Sequence, residues 1–466
     1  MAVLSFDISS GGIAAAFYNS ALEPSGLHKK AWRLNLDEAG AASFAVETVT
    51  SVFRETIAGL QITESADVID AISIASFMHN CVVLDAAGRP LSPVYTWLDR
   101  RGENGVEFVR SRLGTGFHER TGCHFHPMFP VFKLASLFLA EPGLAARAAK
   151  VVSVKALLVH KLTGVWAEDH GMASASGLYN IRDGDWDPAL LSLIGIRPGA
   201  LPSVSGRERV IGKVSSGAAV EFGLPAGTPV VNGSGDGFLA TLGSGCARPE
   251  RIAMTLGTSG SARQALTQAV LDPRAGTFCY KADDRSYLLG CASSNGGNVL
   301  DWCRSLFGNA ANESRPNVPI FLPFLYGERS PDWNPRLTGS WHGLRSVHTA
   351  ADAAQSVMEG VVFNLAQYVE ILQEVSGIKP DAIVLSGNGF LEHSAARVLG
   401  AVVDVHVRMP LAPGLATLRG AAICAFPALG LEVPSLHTEL VPRMEDSGLR
   451  DRFEKYKVLR ARAGEF

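Results

Sequence analysis

The stretch Gly233-Ser234-Gly235-Asp236-Gly237, entered from the apolar run Thr228–Val231, decides the reading of this chain together with Leu256-Gly257-Thr258-Ser259-Gly260 downstream. The first places the Asp236 carboxylate just beyond a strand, in glycine-bent backbone. The second reads as a hairpin, with strands Arg251–Leu256 and Ser261–Ala265 around a small polar turn. Glycine lets backbone N–H groups approach a ligand, and successive N–H groups in a tight turn form an anion nest. A carboxylate at a strand exit beside such a nest supplies what phosphoryl transfer needs: a base for a hydroxyl and donors for phosphate oxygens. The N-terminus repeats the pattern. Val3-Leu4-Ser5-Phe6-Asp7 is a strand ending in an acid, followed by Ile8-Ser9-Ser10-Gly11-Gly12 and the apolar run Ile13–Tyr18. One such cradle opens each half of the chain, which suggests a nucleotide held between two related domains.

Composition narrows the alternatives. The 466 residues predict two or three domains with ample core. Hydrophobic residues make up 47% and charged residues 19%, as in ordinary globular chains. A formal net charge of -3 leaves no basic footprint for nucleic acid and no polybasic membrane patch. No apolar run is long enough to span a bilayer. The N-terminus enters a strand without a basic n-region, against a signal peptide. Cys81, Cys123, Cys246, Cys279, Cys291, Cys303 and Cys424 are dispersed with no C-x-x-C pair, which fits reduced, buried thiols in a cytoplasmic protein.

Short strands alternate with helical stretches, so the expected class is α/β. Ala71–Ser76 and Cys81–Leu84 read as strands around a turn at Asp85–Gly88, and Met78 and His79 are placed on a strand. Phe129–Leu139 and Val154–Leu162 read as buried helices. Pro198–Pro229 reads as loops and short strands. In the second half, strands are expected at Ser286–Leu289 and Ala382–Leu385, a long amphipathic helix at Ala350–Val375, and a further helix from about Glu392.

Leu322-Pro323-Phe324-Leu325-Tyr326-Gly327-Glu328-Arg329-Ser330-Pro331, with Gly339 and Gly343-Leu344 behind it, is the most specific block. Together with Met78-His79-Asn80, Trp97-Leu98-Asp99-Arg100-Arg101, and Asp169 ahead of Ala173-Ser174-Ala175-Ser176-Gly177, it resembles the FGGY carbohydrate kinases of the actin and hexokinase superfamily. The resemblance runs from about Leu4 to about Ala425. It implies two ribonuclease-H-like domains with a cleft between them, at 1–232 and 233–466. Arg120-Thr121-Gly122, His126-Pro127-Met128 with Pro130 and Lys133, and Asn295-Gly296-Gly297 ahead of Trp302 are most similar to the gluconate kinase branch. Two loops depart from the family pattern. The first phosphate loop carries Asp7, Ser9, Ser10, Gly11 and Gly12, with Ala14 where a basic residue is usual. The adenosine loop carries Asn388 between Gly387 and Gly389, and Gly400-Ala401 stands where an Ala-Asp pair is usual.

The resemblance implies ATP and Mg²⁺ as cofactors and gives each residue a role. Asp236 becomes the base for the sugar hydroxyl, and Asp7 holds Mg²⁺ through water, with Asp236 beside the metal. Ser9, Ser10 and Gly11, with Gly257, Thr258 and Ser259, cradle the β- and γ-phosphates. Gly387, Asn388 and Gly389 line the adenosine side. Met78, His79, Trp97, Asp99 and Asp169 face the sugar. Arg101 and Lys133 are candidates for a sugar-acid carboxylate. Gly327-Glu328-Arg329 is read as structural. The expected activity is ATP-dependent phosphorylation of gluconate to 6-phosphogluconate, with xylulose, glycerol and other polyols as competing substrates. A homodimer is open. A catalytically weak sugar sensor and a nucleotide-switched interaction protein are the other classes; Trp97, Asp99 and Asp169 argue against the last.

Overall fold

A computed structural model describes residues 1–38, 40–62, 69–308, 317–391, 394–446 and 448–464. The chain forms two compact units. The first comprises Met1–Gly243 with Cys279–Tyr287 and Thr417–Ser435; the second comprises Ser244–Phe278, Leu288–Ala416 and Leu436–Phe466. A cut between residues 232 and 233 would run through the strand Pro229–Gly235, and Asp236 groups with the first unit.

The first unit is built on a six-stranded sheet in the order Val210–Lys213, Pro229–Gly235, Ala71–Ser76, Val3–Ser9, Gly12–Tyr18, Pro24–Ala31. Val3–Ser9 is central. It pairs antiparallel with Gly12–Tyr18 and parallel with Ala71–Ser76. Both faces of this strand are covered, so Leu4, Phe6, Ile8 and even Ser5 are buried. The Phe6 ring packs against Phe53 of the helix Val46–Gly59 with centroids 4.6 Å apart.

The second unit repeats this plan. Its sheet runs Tyr287–Ser293, Gly260–Leu266, Arg251–Leu256, Ala382–Ser386, His406–Pro410, Thr438–Leu440. Arg251–Leu256 pairs antiparallel with Gly260–Leu266 and parallel with Ala382–Ser386. The helix Ala350–Ser376 starts on a Thr349–Asp352 capping box and ends at left-handed Gly377.

Two expectations are corrected. The strand Ala71–Ser76 ends before Met78 and His79, and His79 has a left-handed φ of 62°. Pro198–Pro229 contains a helix, Ser216–Phe222, whose Ser215 N-cap and Gly223 C-cap are the polar and small residues that suggest a loop. Glu392 lies outside the described residues, and the helix near it spans Ser394–Val402. All seven cysteines are free and buried. Among the described residues no helix is long and apolar enough to cross a membrane.

Candidate active site

Asp236 is delivered by a strand that breaks its own register. Val231 pairs with Ser73 but Ser234 pairs with Ala75, so an extra residue bulges out between them. Gly233 has φ 64°, and a Cβ there would collide with the Ile74 carbonyl. The strand ends at Gly235, and the helix Asp236–Gly243 begins at once. The Asp236 carboxylate accepts from the Gly237 N–H at 2.8 Å, which turns it back over the start of its helix.

Asp7 belongs to the adjacent sheet core, paired in register with Ala14 and Ala75. Burial, then the charge of Asp236, push the Asp7 carboxyl from its usual range up to about 7, with Lys29 opposing. Two carboxylates that disfavour each other's ionisation suit a divalent cation. Among the described residues no group of three or more His, Cys, Asp or Glu could cage a metal. Mg²⁺ takes one or two protein carboxylates and fills its shell with water and phosphate oxygens, a demand that two carboxylates can meet. Beyond Asp7 the chain reverses through Ser10 and Gly11. The Ser9 hydroxyl accepts from Gly11 N and donates to Gly12 O, and Trp32 donates to Ser10 O and Gly11 O.

The sugar-side candidates divide sharply. Asp99 is 1% exposed and accepts from Ala42 N at 2.9 Å, Arg101 N at 3.1 Å and the Arg101 guanidinium at 2.6 Å. Those bonds occupy its carboxylate and hold Arg101 in place. Arg101 keeps 37% of its side chain exposed, with the cation 4.8 Å from the Tyr95 ring centre. Asp169 is also enclosed, at 0% exposure. Lys133 is buried and donates to the carbonyls of Met128 and His79, and burial lowers its pKa to about 8. His79 is buried too, its Nδ1 2.7 Å from Ala175 O and its ring edge-on to Phe129. Met78 and Trp97 are partly buried. Arg120 pairs with Asp187, the N-cap of the helix Pro188–Ile194, so Arg120-Thr121-Gly122 carries a structural ion pair.

Behind Asp169 lies a charge network that sequence reading missed. Lys155 meets Glu168 and Asp169 at 3.1 Å each and donates to the Asn232 side chain at 2.7 Å. Burial alone would lower the Lys155 pKa, but the two carboxylates outweigh it and the ammonium sits above its usual value. The signal lay in the sequence as a lysine between Val154 and the apolar run Ala156–Val159. A period-based reading treats such a residue as the helix's wet face.

In the second unit the two polar loops are neighbours. Gly257 N donates to Ser259 O at 2.9 Å, closing the hairpin turn, and the turn's carbonyls accept from Gly297 N and Asn298 N. Gly387 has φ 87°, and a Cβ there would collide with Leu256 O, so the 387–389 loop lies against the hairpin's first strand. Beneath both, the Thr255 hydroxyl meets that of Ser386 at 2.7 Å and accepts from Arg263, which also donates to Ser261. Glu328 accepts from Ser293, Ser294 and Asn364, which gives the Gly327-Glu328-Arg329 stretch a structural role.

These features belong to a known class. Residues 12–243 match the N-terminal domain, and residues 234–429 the C-terminal domain, of the FGGY family of carbohydrate kinases. The chain belongs to that family. It is 32% identical to a gluconokinase of Bacillus subtilis (strain 168) over 319 residues, 64% of this chain and 62% of the relative, so the match spans under two thirds of that relative's length. It is also 32% identical to a xylulose kinase of Streptomyces rubiginosus over 370 residues, 78% of this chain and 76% of the relative. The crystal structure of gluconate kinase from Lactobacillus acidophilus superposes with a TM-score of 0.91 at 26% identity, covering 99% of this chain and 98% of that one.

Proposed function

We propose that the chain transfers the γ-phosphoryl group of ATP to a hydroxyl of a sugar acid, gluconate before other substrates. The observation that carries the proposal is the meeting of Asp236, at a strand-to-helix break, with Asp7, whose carboxyl is pushed to about 7 partly by that neighbour. Asp236 accepts the hydroxyl proton, the freed oxygen attacks the γ-phosphorus, the bond to the bridging oxygen breaks, and ADP leaves. Mg²⁺, when bound, neutralises phosphate charge. Asp7 would hold it through water, with Asp236 beside it. Ser9, Ser10 and Gly11 in the first unit, and Gly257, Thr258 and Ser259 in the second, offer N–H and hydroxyl donors to phosphate oxygens. Gly387, Asn388 and Gly389 receive the adenosine.

For the acceptor, Arg101 is the carboxylate partner. Asp99 fixes its orientation, and its exposed edge can make charge-assisted hydrogen bonds. Met78 and Trp97 line the sugar. Lys133 shapes the site by tying Met128 to His79. Xylulose is the second reading, favoured by the longer match to the Streptomyces xylulose kinase. A coupled assay for ADP release over gluconate, xylulose, ribulose and glycerol tests both. Gluconate is expected to show the highest kcat/KM. A neutral polyol in first place overturns the sugar-acid assignment, and sugar binding by calorimetry without turnover would make the chain a sensor.

A further inference from the structure

The Lys155 network ends within two residues of the proposed base. Lys155 and Asp169 are each 0% exposed, and Glu168 is 3% exposed. A lysine, a glutamate and an aspartate taken out of water together are costly unless their geometry is closely met. Here each charge has partners, although Asp169 Oδ1 has only the Lys155 ammonium at 3.1 Å and no hydrogen bond. The Lys155 ammonium reaches Glu168 Oε1, Asp169 Oδ1, Asn232 O and Asn232 Oδ1. Glu168 Oε2 accepts from the Ser153 hydroxyl, and Asn232 Nδ2 donates back to Glu168 O at 3.1 Å. Asp169 Oδ2 accepts from Gly171 N at 2.8 Å and, by a short bond, from the Ser234 hydroxyl. Asn232 and Ser234 flank Gly233, the bulge residue, and both are fully buried. Both side chains on either side of the bulge are therefore bonded into a single charge cluster. The parallel ladder to Ala71–Ser76 skips the bulge, whose Asn232 and Gly233 N–H groups donate to Arg209 O and Arg207 O, so its shape depends on what grips it outside that ladder.

We propose that Lys155 is a positioning residue for Asp236: its ammonium, acting through Asn232 on one side and through Asp169 and Ser234 on the other, sets the Gly233 bulge and with it the direction in which Asp236 leaves the strand. This rests on the reading of Asp236 as the base. A small displacement of a reacting group is enough to cost rate without costing affinity.

Three variants test it. Ser234→Ala cuts the link to the bulge and leaves the Lys155, Glu168 and Asp169 charges in place. It is expected to lower kcat on the best sugar by about 10- to 100-fold with both KM values within about threefold. Ser153→Ala touches the same cluster at its far edge. It is expected to lower Tm and leave kcat near wild type. Lys155→Met is expected to reproduce the kcat loss with a larger Tm drop. If it does not fold, Ser234→Ala decides alone. Amide hydrogen exchange without ligands gives a readout that needs no turnover. Exchange across residues 234–240 should speed up in Ser234→Ala but not in Ser153→Ala. Wild-type kcat together with unchanged exchange in Ser234→Ala overturns the proposal. A uniform rise in exchange across the first unit would show the network to be purely structural and overturn it equally. If the wild-type protein phosphorylates no sugar, the reading of Asp236 as base fails separately, and the exchange comparison still decides whether the cluster holds the bulge.

Discussion

The two units share a sheet plan and differ in what they place at the ends of their central strands. In the first unit, Val3–Ser9 carries Asp7, and the strand two places away in the sheet delivers Asp236. In the second, Arg251–Leu256 carries Thr255, and its parallel neighbour ends at Ser386, the two hydroxyls bonded to each other with Arg263 below. One scaffold thus presents negative charge and the other hydroxyls, backbone N–H groups and a buried guanidinium. Carboxylates near each other are unstable partners whose value lies in chemistry, whereas N–H groups and hydroxyls recognise without titrating. Under the proposed function, proton transfer and the Ser9–Gly11 part of the phosphate cradle fall to the first unit, and the rest of phosphate recognition and the nucleotide to the second.

The largest expected effect falls on the first unit. Asp236→Asn keeps size and hydrogen bonding but cannot take a proton, so kcat should fall by about 10²–10⁴-fold with sugar affinity nearly intact. Initial rates of ADP release with calorimetric sugar titration check both halves. Wild-type turnover would make Asp236 a turn residue and dissolve the contrast between the units.

Asp7→Asn should raise the apparent KM for Mg²⁺-ATP and have a second, opposite effect on stability. The folded-state pKa of Asp7, about 7, lies above its ordinary value of 3.8. Between those two values the folded chain holds a proton that the unfolded chain has lost, so stability falls as pH rises through the window. Asparagine has no such loss. In melts without Mg²⁺ the variant should be the more stable at pH 8, with the difference closing toward pH 4. An equal gap at both pH values would show that the charge of Asp7 is already compensated.

What the sequence disclosed follows the same line. The strand–turn–strand units at Asp7 and Leu256 were legible because turn chemistry is local: small residues between two apolar runs. Asp236 was legible for the same reason, though its helix was not, because glycines at the break mask the helical period. The sugar side was less legible. Asp99 and Asp169 have the residue type for holding hydroxyls, but their partners, Ala42 and Arg101 for one and Lys155 and Ser234 for the other, come from other segments. Sequence spacing does not report which carboxylates tertiary packing has already saturated. Lys155 was missed for the matching reason, since a cation in a helix looks solvated until its acidic partners are placed beside it.

A smaller effect separates the two cations of the first unit. Arg101→Met should weaken gluconate relative to a neutral polyol of similar length by about 1.5–3 kcal/mol, the loss of a charge-assisted hydrogen bond. Lys133→Met should instead weaken all acceptors alike and lower Tm, because it strips the Met128 and His79 carbonyls of their shared donor. The comparison is kcat/KM for the two substrates in each variant. Selectivity lost in Lys133→Met and kept in Arg101→Met would exchange their roles.

The smallest effect is expected at Asn388, and it probes whether the second unit recognises through backbone alone. Asn388 is exposed and opens the short 3-10 turn Asn388–Phe390, while the strained, left-handed position of the loop belongs to Gly387. The Asn388 side chain lies against Gly414, where an added Cβ would collide with its Oδ1. Asn388→Gly therefore removes a side chain whose contact is with its own unit and frees backbone that was ordered, a cost of about 0.5–1 kcal/mol. Tm should fall slightly, and the KM for ATP should change by less than about threefold, since each N–H group keeps its place. Saturation kinetics in ATP with a thermal melt measure the two together. A tenfold drop in KM would mean that the asparagine stands in the nucleotide's way. A tenfold rise would mean that its amide, rather than the backbone, makes the contact. Either result would give the second unit a side-chain reader where the comparison allows only a neutral cradle.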